Sequence, residues 1–273
     1  MKKYENHTII DDSDLQLDYF GSNLDQLTYS GYPSYEDRLR ATDLALYRDE
    51  NGRLVIPKDD RWTIDSHPNR PGSESSPSDE QQQMLASDGF ELDSSGRPLH
   101  PWFWRMFSDP RIGVVTGRGF FRNWGPNYTA DPIVIFEDQL LLILRADNDC
   151  WALPGGFINV HADGSLELPL LAALREAKEE TGRVYTPEIV SSQEVYSGPI
   201  ADIRSTANAW TETTAYLIEP EEMVEVTEPI DYSEVKDVGW FPTSTVADTH
   251  LSGSHRFLFQ RALKLMVEKE DYL

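Results

Sequence analysis

The chain has 273 residues, 39% of them apolar, which allows one or two domains with at least one sizeable core. With 24 Lys plus Arg against 47 Asp plus Glu, its formal net charge is −23, which disfavours general nucleic-acid binding and reads as solubility or, in part, as ligands for divalent metal. No apolar run nears the roughly 20 residues of a spanning helix, no apolar core follows Met1-Lys2-Lys3 to make a secretory signal, and the lone Cys150 excludes an intrachain disulfide framework and points to a reducing, cytoplasm-like compartment.

Residues 1–28 are acidic and poorly patterned, and read as a lead segment or small cap. Leu44, Leu46 and Tyr47, then Asp49-Glu50-Asn51-Gly52, then Leu54-Val55-Ile56 predict a hairpin. Residues 66–83 are rich in Ser, Pro, Gly, Asp and Gln and read as a mobile loop, and 90–98 repeats that turn chemistry. The aromatic run Trp102 to Phe107 reads as packing between layers. From Pro132 the pattern sharpens. Ile133 to Phe136 and Leu140 to Leu144 flank a Glu137-Asp138 turn as a second hairpin. A helix is expected over about 165–182, strands at 193–197, 210–218 and 235–241, and a last helix over about 254–269 opened by Ser254. This mixture predicts an α+β or layered αβα domain over 115–273, preceded by a smaller β-containing N-terminal region, 1–114, that shapes the substrate site.

The stretch Leu166 to Gly182 carries the chemistry. At about 100° per residue, Leu166, Leu170, Leu174, Ala177 and Thr181 form one core-facing stripe. Glu176, Glu179 and Glu180 stand at i, i+3 and i+4 on another face. Their mutual repulsion, at the helix end where the macrodipole is negative, is unfavourable twice over. A bound hard cation such as Mg²⁺ is one reason to keep such a trio, and a solvated acidic face is the other. Gly155-Gly156 ahead of the helix lets backbone approach a bulky anion.

Glu167, Arg175-Glu176-Ala177, Glu179-Glu180 and Gly182 resemble the Nudix box, G-x5-E-x7-R-E-U-x-E-E-x-G-U, with Arg183 at the last apolar position. One departure stands out: ten residues separate Gly156 from Glu167 where the pattern has five, so the loop is lengthened. The resemblance implies a Nudix-type αβα sandwich with a mixed sheet. It also implies Mg²⁺ or Mn²⁺ held by Glu176, Glu179 and Glu180, with Glu167 reaching the site from the helix start. Arg175 is expected to brace these glutamates rather than touch substrate.

Two further segments, Gly117 to Pro132 and Asp202 to Thr213, resemble the ADP-ribose pyrophosphatase branch of the family and the Nudix-like domain of melastatin-type channels. That resemblance implies hydrolysis of ADP-ribose to AMP and ribose 5-phosphate. The alternatives are a sensor that binds ADP-ribose without cleaving it, or a pyrophosphatase for another dinucleotide or a nucleotide sugar. Arg118, Arg122 and Asn127 are candidates for phosphate or ribose, unless their loop is only a connector. Asp202 and Arg204 either pair with each other or meet the adenosine part. Asn208 either orients a ribose hydroxyl or caps a turn. Trp210 reads as core, and Glu212 as a water-orienting base, a further metal contact or a plain strand carboxylate. His255 reads as a helix-start residue or a ribose contact. The expected partner is a small nucleotide, with neither nucleic acid nor membrane, in a cytoplasmic monomer or homodimer.

Overall fold

The computed structural model describes residues 46–58, 63–64, 76–108, 114–223, 233–246 and 251–270. The acidic lead segment and most of the 66–83 stretch lie outside these residues. The chain divides into two compact units, Met1–Asn127 with Pro199–Thr211, and Tyr128–Gly198 with Glu212–Leu273.

In the first unit, β1 (Tyr47–Arg48) and β2 (Leu54–Val55) pair antiparallel, Tyr47 opposite Val55, as the hairpin signal predicts. The turn closes because the Asp49 carboxylate accepts from the N–H groups of Asn51 and Arg53, with Gly52 at φ 76°. The polar stretch read as loop through residue 83 contains a helix, α1 (Asp79–Ser87). Ser78 and Gln81 form a reciprocal capping box, and Asp79 and Glu80 complement the dipole in the first turn. The polar composition of the stretch hid these local start signals. Leu85 from α1 packs with Leu92 and Trp124. The aromatic run forms α2 (Phe103–Ser108), with Phe103 buried among Leu54, Leu99, Val114 and Ala207.

The second unit is an αβα sandwich. Its mixed sheet has the order β5-β4-β3-β8-β7, with β6 also on β3 and β9 also on β4. The strands are β3 (Gly125–Phe136), β4 (Gln139–Arg145), β5 (Trp151–Ala152), β6 (Gly156–Phe157), β7 (Val190–Pro199), β8 (Ala209–Pro220) and β9 (Val235–Pro242). The β3–β4 hairpin turns at Glu137, φ 52°, with Ile135 opposite Leu140. Side-chain alternation splits the apolar residues between two faces. Ile133, Ile135, Leu140, Leu142 and Leu217 meet Phe257, Leu258, Phe259 and Ala262 of α5 (His255–Glu270). Val134, Leu141, Ile143 and Ile218 meet Leu174 and Ala177 of α3 (Pro169–Thr181). A short α4 (Thr243–Val246) precedes α5.

Helix α3 starts four residues later than the sequence suggests, because Pro169 with its fixed φ takes the first helical position. Leu166 therefore lies outside the helix and is 48% exposed rather than on the core stripe. The helix ends at Gly182, φ 70°, whose N–H donates to Lys178 O. The lengthened loop is itself a small hairpin, with Val160 bridged to Leu166 and the His161 N–H bonded to Ser165 O.

Candidate active site

Helix α3 presents its glutamates in two environments. Glu176 and Glu180, one turn apart, are buried at 8% and 7% exposure, whereas the Glu179 side chain is 53% exposed. Pro169 sets the helix phase and Ala172, Ala173 and Ala177 bring it close to the sheet, which carries Glu176 and Glu180 inward. Arg175 binds three carboxylates at once. Its Nη1 donates to Glu176 Oε1 at 2.7 Å and Glu179 Oε2 at 3.0 Å, and its Nη2 donates to Glu167 Oε2 at 3.0 Å and to Phe157 O. Arg175 thus makes the charge-assisted bonds expected of a brace.

Glu167 sits just ahead of α3, gripped by Arg175 and accepting from the Asn159 N–H at 3.2 Å. Burial works to raise its pKa, but the Arg175 and Asn159 donors prevail and hold it below the ordinary value. Its oxygens are engaged by donors, so geometry ties Glu167 to Arg175 and to the base of the loop hairpin.

The diglycine turn closes over the two buried carboxylates. The Gly155 N–H donates to Glu180 Oε2 at 2.8 Å. A Cβ at Gly156 would stand 2.6 Å from the Glu176 carboxylate, and one at Gly155 would stand 2.2 Å from Asp131 Oδ1. Asp131, buried on β3, in turn accepts from the Thr213 hydroxyl of β8. Sequence reasoning passed over Asp131, which stands just ahead of the apolar run Pro132 to Phe136 on the same strand. We expect Gly156→Ala to push Glu176 off its place and weaken Mn²⁺ binding roughly tenfold, as loss of a supporting contact does; calorimetric titration measures it.

Burial raises the Glu180 pKa to about 8, only partly opposed by the Gly155 N–H and aided by the charge of Glu176. Burial also raises that of Glu176 against the opposing pull of Arg175. Glu234, just before β9, adds to the negative field on both, and Arg145 partly offsets it at Glu180. Among the described residues, no three His, Cys, Asp or Glu side chains stand close enough to hold a metal ion. The donor chemistry of the Glu176–Glu180 pair nevertheless fits one: hard oxygen ligands, buried and held near one another, whose ionised forms a cation would stabilise. Mg²⁺ commonly takes only one or two carboxylates and completes its shell with water and phosphate oxygens.

In the first unit, Asp202 and Arg204 pair with each other, Nε to Oδ1 at 2.9 Å, while the Thr211 hydroxyl donates to Asp202 Oδ2. Burial opposes the charge on Asp202, yet Arg204 keeps its pKa below the usual value. The Arg204 guanidinium also lies 5.8 Å from the Phe120 ring centre and 5.9 Å from that of Phe121. Asn208 is fully buried and joins two segments, accepting from the Gly117 N–H at 2.9 Å and donating to Pro98 O at 3.0 Å. The Asn127 amide staples its own turn through Asn123 and Gly125. Arg118 Nη1 donates to Arg122 O, and its buried Nε has no partner among the described residues; Arg122 itself is exposed. Trp210 is core, packed against His100 and Phe90. Glu212 is 2% exposed within β8.

Replacing Asn208 with Ala would leave the Gly117 N–H and Pro98 carbonyl buried and unpaired, at about 1–3 kcal/mol for each group. Urea unfolding should show a loss of that order.

A helix of carboxylates behind a diglycine turn, packed on one face of an αβα sandwich, defines the Nudix class of site. Residues 127–260 match the NUDIX domain, and the chain carries that domain. The chain is 34% identical to nudix hydrolase 6 of Caenorhabditis elegans over 44% of this chain and 45% of that one. It is 28% identical to the mitochondrial ADP-ribose pyrophosphatase of Rattus norvegicus over 69% of this chain and 59% of that one. It is also 30% identical to a melastatin-like channel protein of Nematostella vectensis, over 48% of this chain but 10% of that one. The chain thus spans less than two thirds of each relative. Among solved structures, the NUDIX domain of Shewanella oneidensis NrtR complexed with ADP ribose is 24% identical, covering 54% of this chain and 90% of that one at a TM-score of 0.43. No helix among the described residues is long and apolar enough to cross a membrane.

Proposed function

We propose that the chain hydrolyses the pyrophosphate of ADP-ribose, adding water across the bridge to give AMP and ribose 5-phosphate. The observation that carries the reading is the buried Glu176–Glu180 pair, whose ionised form burial disfavours and a divalent cation would stabilise, set against the Gly155-Gly156 backbone. Resemblance to an ADP-ribose pyrophosphatase supports the substrate. Glu176 and Glu180 are the residues that would hold Mg²⁺ or Mn²⁺, with Glu179 as a third ligand on release from Arg175. When bound, such an ion neutralises diphosphate oxygens and lowers the pKa of a coordinated water.

The chain's own groups do the remaining work. Arg175 holds Glu176 in place, the Gly155 N–H orients Glu180, and Glu212 is our candidate to accept the proton of the attacking water.

The test is incubation of the purified chain with ADP-ribose and Mg²⁺, with AMP and ribose 5-phosphate followed by chromatography. Release of AMP that stops on chelation supports the reading. Tight calorimetric binding of ADP-ribose without turnover would replace it with a sensor, a reading kept open by the resemblance to the channel protein.

A further inference from the structure

The diglycine turn is held from its other side by α5. Strand β5 pairs with β4 along one edge, Ile143 opposite Ala152. On its other edge the Ser252 N–H donates to Trp151 O at 2.8 Å, and the chain then turns at Gly253, φ 58°, into α5. Among the described residues, no backbone carbonyl of this connection serves the next donor on that edge, the Leu153 N–H. The His255 imidazole does so instead: Leu153 N to His255 Nδ1 is 2.8 Å. Accepting there needs the Nδ1 lone pair, so the proton of the neutral ring stands on Nε2. Pro154 has no N–H, and the next donor along the chain is that of Gly155, which reaches Glu180. A side-chain bond from α5 and a carboxylate bond to α3 thus pin the two ends of the three-residue segment Leu153-Pro154-Gly155.

We propose that His255 is a positioning residue: by fixing the Leu153 N–H it sets the path of the diglycine turn, and so the seats of Glu176 and Glu180. The inference rests on those carboxylates being the metal site of the proposed function. It assigns His255 neither to ribose nor to mere helix initiation, but to the backbone facing the carboxylates. Gly156 transmits the constraint, since its missing Cβ is what lets the turn lie against the Glu176 carboxylate.

The experiment uses three variants of the full chain. In His255→Asn, Oδ1 stands on the same γ carbon as Nδ1 and can accept the same N–H. In His255→Gln the acceptor sits one carbon farther out, and in His255→Ala it is gone. Amide hydrogen exchange of Leu153 and Gly155 is measured on metal-free protein, and Mn²⁺ affinity by calorimetry. The proposal expects exchange at least about tenfold faster and Mn²⁺ affinity about tenfold weaker in the Ala and Gln variants, with both restored in Asn. If either readout stays at the parent's level in Ala and Gln, or Asn fails to restore them, the proposal is overturned. Should the Ala variant not fold, the contrast between Asn and Gln decides the matter by the same two readouts. A parent that binds no Mn²⁺ sinks the metal reading instead, and the exchange comparison still decides whether His255 fixes the turn.

Discussion

Glu180→Gln is expected to abolish most of the proposed Mg²⁺-supported hydrolysis of ADP-ribose while making the metal-free protein more stable above neutral pH. Glutamine keeps an oxygen for the Gly155 N–H, now 2.8 Å from Glu180 Oε2, and fills nearly the same volume. It removes the charge. A cation's stabilisation of transition-state charge is worth several kcal/mol, so loss of a ligand should lower kcat/KM roughly a thousandfold at about 1.4 kcal/mol per decade. The stability effect follows from linkage. The Glu180 pKa is raised from 4.5 unfolded to about 8 folded. Between those values the folded state binds the extra proton, so the parent loses stability as pH climbs from about 4.5 to about 8, by up to a few kcal/mol. The glutamine variant lacks that slope and should overtake the parent's melting temperature at pH 8 to 9. Added Mg²⁺ should raise the parent's melting temperature there and leave the variant's almost unmoved. A variant that keeps parental turnover, or that loses stability at pH 8 without metal, contradicts a charge-strained metal seat.

Much of this site was legible from spacing, because the i, i+3, i+4 glutamates and the flanking glycines follow from helix geometry and the absent Cβ. The division of labour among the glutamates was not. A helical wheel gives Glu176 and Glu180 a common face, but it cannot say that close alanine packing buries those two while Glu179 stays outside. Nor could it place Glu167, since Pro169 begins the helix two residues later and leaves Glu167 outside it, where Arg175 reaches it.

The second unit's β3–β4 hairpin and helices α3 and α5 announced themselves through period and turn residues, down to the Glu137 turn. Helix α1 escaped because a polar run reads as loop by composition, while the Ser78–Gln81 box that starts it is a four-residue signal. Contacts made far along the chain left no local trace. Asn208 reaching Pro98, Thr213 reaching Asp131 and His255 reaching Leu153 each join residues more than eighty positions apart.

Acid should act on the first unit through His100. The residue is 3% exposed, with its Nδ1 accepting the Trp102 N–H at 2.9 Å and its ring 4.9 Å from the Trp210 ring centre and 5.4 Å from that of Trp102. Burial lowers its pKa from 6.5 to about 3. Between those values the unfolded chain binds a proton that the folded chain refuses. Stability is therefore complete above about pH 6.5 and drains away as pH falls towards 3, by several kcal/mol if His100 acted alone. Glu180 and Glu176, with raised pKa values, push the other way over part of this range, and Asp202, held low by Arg204, adds to the acid loss near its foot. Comparison with a variant isolates the histidine. In His100→Asn, Oδ1 can take over the Trp102 N–H without adding a group that titrates, although the smaller side chain leaves space beside Trp210 and lowers stability at pH 7 by about 1–3 kcal/mol. Urea midpoints measured from pH 7 to pH 4 should fall more steeply for the parent than for the variant, so that the gap between them narrows by more than about 2 kcal/mol at pH 4. Parallel curves would mean that the imidazole takes up its proton without leaving the fold, and that the aromatic cage of Trp102 and Trp210 admits the charge.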